Sequence, residues 1–188
     1  DGGNGTLDAF LAGNAQGDRL TVLVADPLGR LVQAPFGRTG ETALIEMALA
    51  AGLELLRDDE LDPLRASTYG TGQLMLEALA GGARRMIVGM GGSATVDGGV
   101  GCLQALGVRL LDTDGRELPA GIGGGSLHLI RTIDASGLDA RWRDVELIIA
   151  TDVDNPTLGE QGAAAVFGPQ KGATPEQEDL TNPLDFSA

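Results

Sequence analysis

Apolar residues gather along this chain in short runs of strand length and in helical spacings, with glycine at many of the junctions. Residues 20–25 are apolar and β-branched, Asp26, Pro27 and Gly29 are turn formers, and 31–36 form a second apolar run, which together predict a hairpin. Ahead of it, Thr6 is placed to cap a short helix through Leu11. Between Thr42 and Leu56, Leu44, Ile45, Ala48, Leu49 and Leu53 suit a helix, and a strand giving way to a helix near Met47 fits almost as well. The local pattern leaves both open. Leu74, Met75, Ala78 and Leu79 share one face of a helix that follows Thr68-Tyr-Gly-Thr-Gly72 and stops at Gly81 and Gly82. Residues 85–90 predict a strand, 91–101 a loop, 102–106 the end of a helix and 108–111 another strand, a unit typical of the α/β class. Residues 121–125 read as a flexible connection, 145–150 as a second buried strand, and the stretch to Gly172 as a segment punctuated by glycine and proline.

Composition narrows what these elements serve. The 188 residues suffice for one domain, with room for two small ones. Thirty glycines without a Gly-X-Y period, beside 43% apolar content, belong in the turns and loops of a folded protein. With 13 basic and 27 acidic residues the net charge is −14, which repels phosphate backbones and anionic bilayers. Only six aromatics are present, too few for stacking platforms, so neither nucleic acid nor a membrane is expected as a partner. The oligomeric state stays open. A single cysteine, Cys102, allows no internal disulfide, and no window reaches the ~20 apolar residues of a membrane span, which points to a reduced, cytoplasmic protein. The chain opens on Asp1 in a glycine-rich stretch with neither an initiator Met nor a signal peptide, as expected of a fragment.

Three segments carry candidate chemistry. Gly91-Gly-Ser-Ala-Thr-Val-Asp-Gly-Gly99 follows a strand and enters a helix, so the backbone of Gly91, Gly92, Gly98 and Gly99 and the hydroxyls of Ser93 and Thr95 would cradle a phosphate or carboxylate. A plain βα connection is the structural alternative. Gly89 to Ala94 also fits the dinucleotide fingerprint, with Asp112 near the place of the ribose-binding acid, although Gly98, Gly99 and Gly101 would each cost its helix about 1 kcal/mol. No Walker A loop occurs. Lys171 is the one lysine among thirteen basic residues, which suggests that a compact ammonium is required there. Asp152, Asp154 and Asn155 follow the 145–150 strand, where they would hold Mg²⁺ or accept a hydroxyl proton, or else cap a turn. Both motif-bearing strands are therefore expected in one sheet with their carboxyl ends on the same side. His128 is alone, which excludes histidine-rich metal sites and paired-histidine mechanisms; Cys102 reads as a small buried apolar residue, and 57–62 as a solvated loop.

The glycine loop with Leu103-Gln-Ala-Leu-Gly107, and Thr151-Asp-Val-Asp-Asn-Pro156 with Phe167-Gly-Pro-Gln-Lys-Gly-Ala173, closely resemble the bacterial type 1 glycerate kinases. Ile45-Glu-Met-Ala48, Thr68-Tyr-Gly-Thr-Gly72 and Asp1-Gly-Gly-Asn-Gly-Thr6 are smaller matches, and the likeness runs to about Glu176. Asn4, Val96 and the tail 179–188 depart from the family pattern. The resemblance implies ATP-dependent phosphorylation of D-glycerate to a phosphoglycerate, 2-phosphoglycerate favoured, with Mg²⁺. It also implies two α/β domains, one flavodoxin-like and one inserted into it. Residues 1–175 would be the inserted domain with edges of the first, its sheet flanked by helices, and 176–188 an atypical or truncated tail. On this likeness residues 91–99 would cradle an anionic group and Lys171 would neutralise charge. Asp152 and Asp154 would divide metal binding and hydroxyl orientation in either order, with Asp97 a candidate for either role. An NAD(P)-binding Rossmann-type oxidoreductase domain and a non-catalytic binding fragment of a kinase are the alternatives.

Overall fold

The hairpin forms as its turn chemistry predicts: Asp26 Oδ1 accepts from the backbone N–H groups of Leu28 and Arg30, both at 2.9 Å, which closes the turn between two strands. The computed structural model describes residues 2–156, 159 and 161–174, so the tail expected at 176–188 lies outside it. In chain order the elements are α1 (Thr6–Ala12), β1 (Asp18–Ala25), β2 (Leu31–Thr39), β3 (Thr42–Glu46), α2 (Ala48–Ala51) and α3 (Tyr69–Ala80). They continue as β4 (Arg85–Gly89), α4 (Val100–Ala105), β5 (Arg109–Leu111), β6 (Thr132–Asp134), β7 (Glu146–Ala150) and α5 (Ala163–Phe167). Of the two readings of 42–56, the strand that yields to a helix at Met47 is the correct one, because β3 is a central strand and buries Ala43, Leu44 and Ile45 on both faces. Thr6 does not cap α1; Gly5 is the N-cap, and the Thr6 hydroxyl donates to the Gly3 carbonyl at 2.6 Å.

Five strands form a mixed sheet in the order β1-β2-β3-β4-β7. β1, β2 and β3 are antiparallel neighbours, whereas β3, β4 and β7 run parallel, with Leu44, Ile87 and Ile148 in register. Helix α3 covers one face, burying Leu74, Met75, Ala78 and Leu79 against Val24, Phe36, Ile45, Met86 and Val88. Fully burying a side chain such as Leu74 contributes about 1.5–3 kcal/mol. On the other face α1 packs against β2 and β3. Cys102 joins the α3 side of the core, where burial pushes its thiol up to about 12, as expected of an inert apolar position.

Three expectations fail for tertiary reasons. The strand at 145–150 is not buried: β7 is a sheet edge, and Leu147 and Ile149, in register with buried Met86 and Val88, are 49% and 50% exposed. The strand at 108–111 does not return to the sheet; β5 pairs with β6 in a separate two-stranded ribbon around Val108, Leu110 and Ile122. Residues 121–125 are packed rather than free, since a Cβ on Gly123 would lie 2.5 Å from the Leu64 carbonyl oxygen. The 57–62 segment is tied as well as solvated, because Glu60 accepts from Arg30 at 2.6 Å and is held below the usual carboxylate range by the Arg57 N–H and the Arg30 guanidinium. Among the described residues no helix is long and apolar enough to cross a membrane.

Candidate functional site

The carboxyl ends of β1, β3, β4 and β7 share one edge of the sheet, the edge at which open α/β sheets bind ligands. There β4 leads into loop 91–99 and β7 into segment 151–156. The Met90 N–H donates to the Ala150 carbonyl at 3.0 Å, so the two motifs leave the sheet side by side, as the sequence predicts.

Three parts of the chain hold the loop. From α2, the Ala51 carbonyl accepts from Ala94 N–H at 2.8 Å, and the Leu53 N–H donates to the Gly92 carbonyl at 3.0 Å. From the N-terminal segment, the Gly2 carbonyl accepts from Gly91 N–H at 3.2 Å. A Cβ on Gly2 would lie 2.4 Å from the Ala150 carbonyl oxygen, and one on Gly91 2.5 Å from Gly3 Cα, so this crossing admits only glycine. The third support is Lys171, delivered by the short 3₁₀ turn Pro169–Lys171 after α5, with proline in the opening position it favours. Its Nζ donates to Ser93 Oγ at 2.9 Å and to the Thr95 carbonyl at 2.6 Å.

Lys171 is 6% exposed, and burial lowers its pKa to about 8, with the Asp97 charge opposing the shift. Both contacts are neutral acceptors, and an ammonium has three donors, so among the described residues one N–H remains without an acceptor and no carboxylate is hydrogen-bonded to the ammonium. Asp97 is 1% exposed, and its carboxylate accepts from Thr68 N–H and Thr68 Oγ1, both at 2.8 Å, from Gly99 N–H at 3.1 Å and from Gly101 N–H at 3.2 Å. It thereby ties the N-termini of α3 and α4 together; burial raises its pKa while these four bonds oppose the rise. The Thr68 hydroxyl also accepts from Cys102 N–H at 2.9 Å.

Of the sequence candidates, Gly91, Gly92, Ser93, Thr95, Asp97 and Lys171 therefore form one connected cluster. Gly98 and Gly99 stand apart: Gly98 is exposed, and Gly99 caps α4 with its N–H already committed to Asp97. Asp152 and Asp154 are exposed, and among the described residues neither carboxylate accepts a hydrogen bond or forms an ion pair. The turn is stabilised by Thr151 Oγ1, which accepts from Val153 N–H at 3.3 Å, while Asn155 Nδ2 donates to the Gln161 carbonyl at 3.0 Å, and among the described residues Asp152 closes no Asx turn. The dinucleotide reading fails too. α4 begins only at Val100, β5 lies outside the sheet, and Asp112 caps its own turn through Asp114 and Arg116 N–H.

Residue-type reasoning missed the acidic partners of the N-terminal segment. Glu46, at the end of β3 and 3% exposed, accepts from Gly5 N–H at 3.1 Å and Leu7 N–H at 3.0 Å, and Glu54 accepts from Asn4 Nδ2 at 2.7 Å. Nothing local marks these glutamates, because their partners are about 40 to 50 residues away.

Comparison with known proteins gives a consistent result. The model of the glycerate kinase family matches residues 1–184. The chain is 52% identical over 182 residues to the glycerate kinase of Bacillus subtilis (strain 168), covering 96% of this chain and 47% of that protein. To the glycerate 2-kinase of Escherichia coli (strain K12) it is 50% identical over 176 residues, covering 93% and 45%. A solved structure of a candidate glycerate kinase 2 from Salmonella typhimurium LT2 superposes with a TM-score of 0.92 at 46% identity, covering 97% of this chain and 48% of that one. The chain thus spans about half the length of the curated relatives it matches.

Proposed function

The chain belongs to the glycerate kinase family, and on that premise we propose that it carries part of the site for ATP-dependent phosphorylation of D-glycerate, with 2-phosphoglycerate the favoured product. Residues 1–175 are read as the inserted α/β domain with edges of the flavodoxin-like one, in a reduced, cytoplasmic setting. One observation carries the site assignment: a buried lysine that, among the described residues, has a spare donor and no hydrogen-bonded carboxylate, beside a glycine loop fixed from three sides.

In the reaction the acceptor hydroxyl oxygen bonds to the γ-phosphorus, the bridging P–O bond breaks, ADP leaves and the hydroxyl proton passes to a carboxylate. Such transfer is catalysed by positioning and by charge neutralisation. Lys171 supplies positive charge, and Gly91, Gly92, Ser93 and Thr95 shape the cradle. Asp97 is buried, with three donors on Oδ2 and one on Oδ1 that tie it to the two helix starts, so its part is to position the loop. Among the described residues the carboxylates of Asp152 and Asp154 have no partner, which suits one to orient the hydroxyl and one to hold a metal. Among the described residues no cluster of three acidic, His or Cys ligands exists, and the donor set fits Mg²⁺, which takes one or two carboxylates and completes its shell with phosphate and water. Bound there, Mg²⁺ would neutralise phosphate charge.

The test is coupled ADP release with D-glycerate and ATP, measured on this chain and on a chain of the relatives' length that contains it. Release by the longer form supports the reading. Silence of the longer form overturns it.

A further inference from the structure

The larger cavity lies at the carboxyl end of β1, where the hairpin turn, the start of α3 and segment 120–126 enclose roughly 450 Å³. That volume is within the ~300–1,000 Å³ range of small-molecule sites. β1 is one edge of the sheet and β7 the other, so the groove lies across the sheet from Asp152 and Asp154, and neither Lys171 nor loop 91–99 lines it. Its walls are tied together, because Ser67 N–H donates to the Pro27 carbonyl at 2.9 Å and Gly125 N–H to the Leu64 carbonyl at 3.0 Å.

The polar side chains of the lining are donors that lack acceptors. Among the described residues only Arg65 and Arg143 have guanidinium groups with no hydrogen-bond or ion-pair partner, and only Arg65, exposed at the mouth, lines this cavity. Ser67 is 4% exposed; its Oγ accepts from Tyr69 N–H at 3.3 Å, and its own proton meets no acceptor among the described residues. The hydroxyls of Tyr69 and, on the opposite wall, Ser126 have no partner there either. The one acid of the lining, Asp26, is already compensated, since its carboxylate takes the Leu28 and Arg30 N–H groups and the Arg30 Nε at 2.5 Å. A carboxylate offers its oxygens in one plane. A phosphate group carries three or more acceptor oxygens around a tetrahedron, which suits a guanidinium and three hydroxyls arriving from different walls.

We propose that this groove binds a phosphate group, that of inorganic phosphate or of a phosphomonoester, on Arg65, Ser67, Tyr69 and Ser126, at a place separate from the reacting groups of the proposed kinase site. The inference goes beyond the kinase reading and rests only on the cavity and its unpaired donors. Because the anion bridges the start of α3 and segment 120–126, its binding stabilises the folded chain.

The experiment is calorimetric titration and thermal melting of this chain with inorganic phosphate and with methyl phosphate, against sodium chloride at matched ionic strength. Binding and a raised Tm are expected with the phosphates and not with chloride, and the tighter of the two phosphates identifies the source as free or esterified. Arg65→Gln is expected to weaken binding about tenfold or more, Arg65→Lys to recover part of the loss, and Tyr69→Phe and Ser126→Ala to weaken it several-fold each. Arg143→Gln, which removes the other unpartnered arginine, is expected to bind as wild type. Lys171→Met is expected to retain the Arg65-dependent binding, and saturating D-glycerate or ATP not to displace it. Melts of each variant without ligand separate lost binding from lost folding. No phosphate binding to the folded chain, wild-type affinity in Arg65→Gln, loss of binding in Lys171→Met, or displacement by D-glycerate or ATP overturns the assignment. ADP release by the longer form does not enter this test, so the kinase reading stands or falls by its own assay.

Discussion

Loop 91–99 and segment 151–156 leave adjacent parallel strands at the same edge, yet they are finished to different degrees. The loop is pinned by α2, by the N-terminal crossing and by Lys171, and its charged groups are buried. The segment is exposed, with Asp152 and Asp154 free of partners among the described residues. A buried charge needs a network that leaves it little freedom, whereas a solvated carboxylate stays charged at no cost and can be taken over by a ligand. One half of the candidate site is thus preorganised, and the other is free to adapt.

Breaking the preorganised half should have the largest effect. Lys171→Ala is expected to lower turnover at least ~100-fold in an active form of the enzyme, and Lys171→Arg to be impaired as well, since a planar guanidinium cannot make the two contacts of the ammonium. Unchanged turnover in both variants would reduce Lys171 to a structural pin. Its pKa of about 8 sharpens the point. If the ammonium is the working form, kcat falls as pH rises above about 8. Stability moves the other way. A lysine with a lowered native pKa binds fewer protons folded than unfolded between about 8 and the usual lysine value of 10.5, so wild type should gain stability over Lys171→Met across that window. The gain, on the order of 3 kcal/mol at most, is absent below pH 8, where both states are protonated; denaturant titrations at pH 7 and pH 10 measure it.

Asp97→Ala strips four buried donors of their acceptor and should cost about 3 kcal/mol or more in a urea melt, with Asp97→Asn milder because one oxygen remains. Equal melts for wild type and Asp97→Ala would contradict the helix-tying role. The smallest effect on folding is expected on the other side of the comparison. Asp152→Asn and Asp154→Asn should leave the melt within about 0.5 kcal/mol, since both are exposed. Their activity should nevertheless fall and partly recover at higher Mg²⁺. Normal activity with unchanged Mg²⁺ dependence in both would remove metal binding from this motif.

Local pattern was enough for the hairpin, for α3 and for the two motif-bearing strands, because turn residues and apolar spacing act over a few positions. It also singled out Lys171, a lone lysine in an arginine-rich chain. It did not reveal that Asp97 spends its carboxylate on two helix starts, since Thr68 is 29 positions away. Nor could it show that Gly99 has no N–H to offer an anion.

What the sequence determines by itself is therefore the set of local elements, the glycine-rich loop, the family resemblance and the strong negative charge, all of which depend on neighbouring residues or on sums over the chain. Tertiary structure decides the rest. Whether Leu147 and Ile149 are covered depends on β7 being a sheet edge, and whether β5 joins the sheet depends on β6, 20 or more residues downstream. The contact of Lys171 with Ser93 spans 78 positions and exists only because packing brings two distant turns together, at a burial that changes the lysine's own proton affinity.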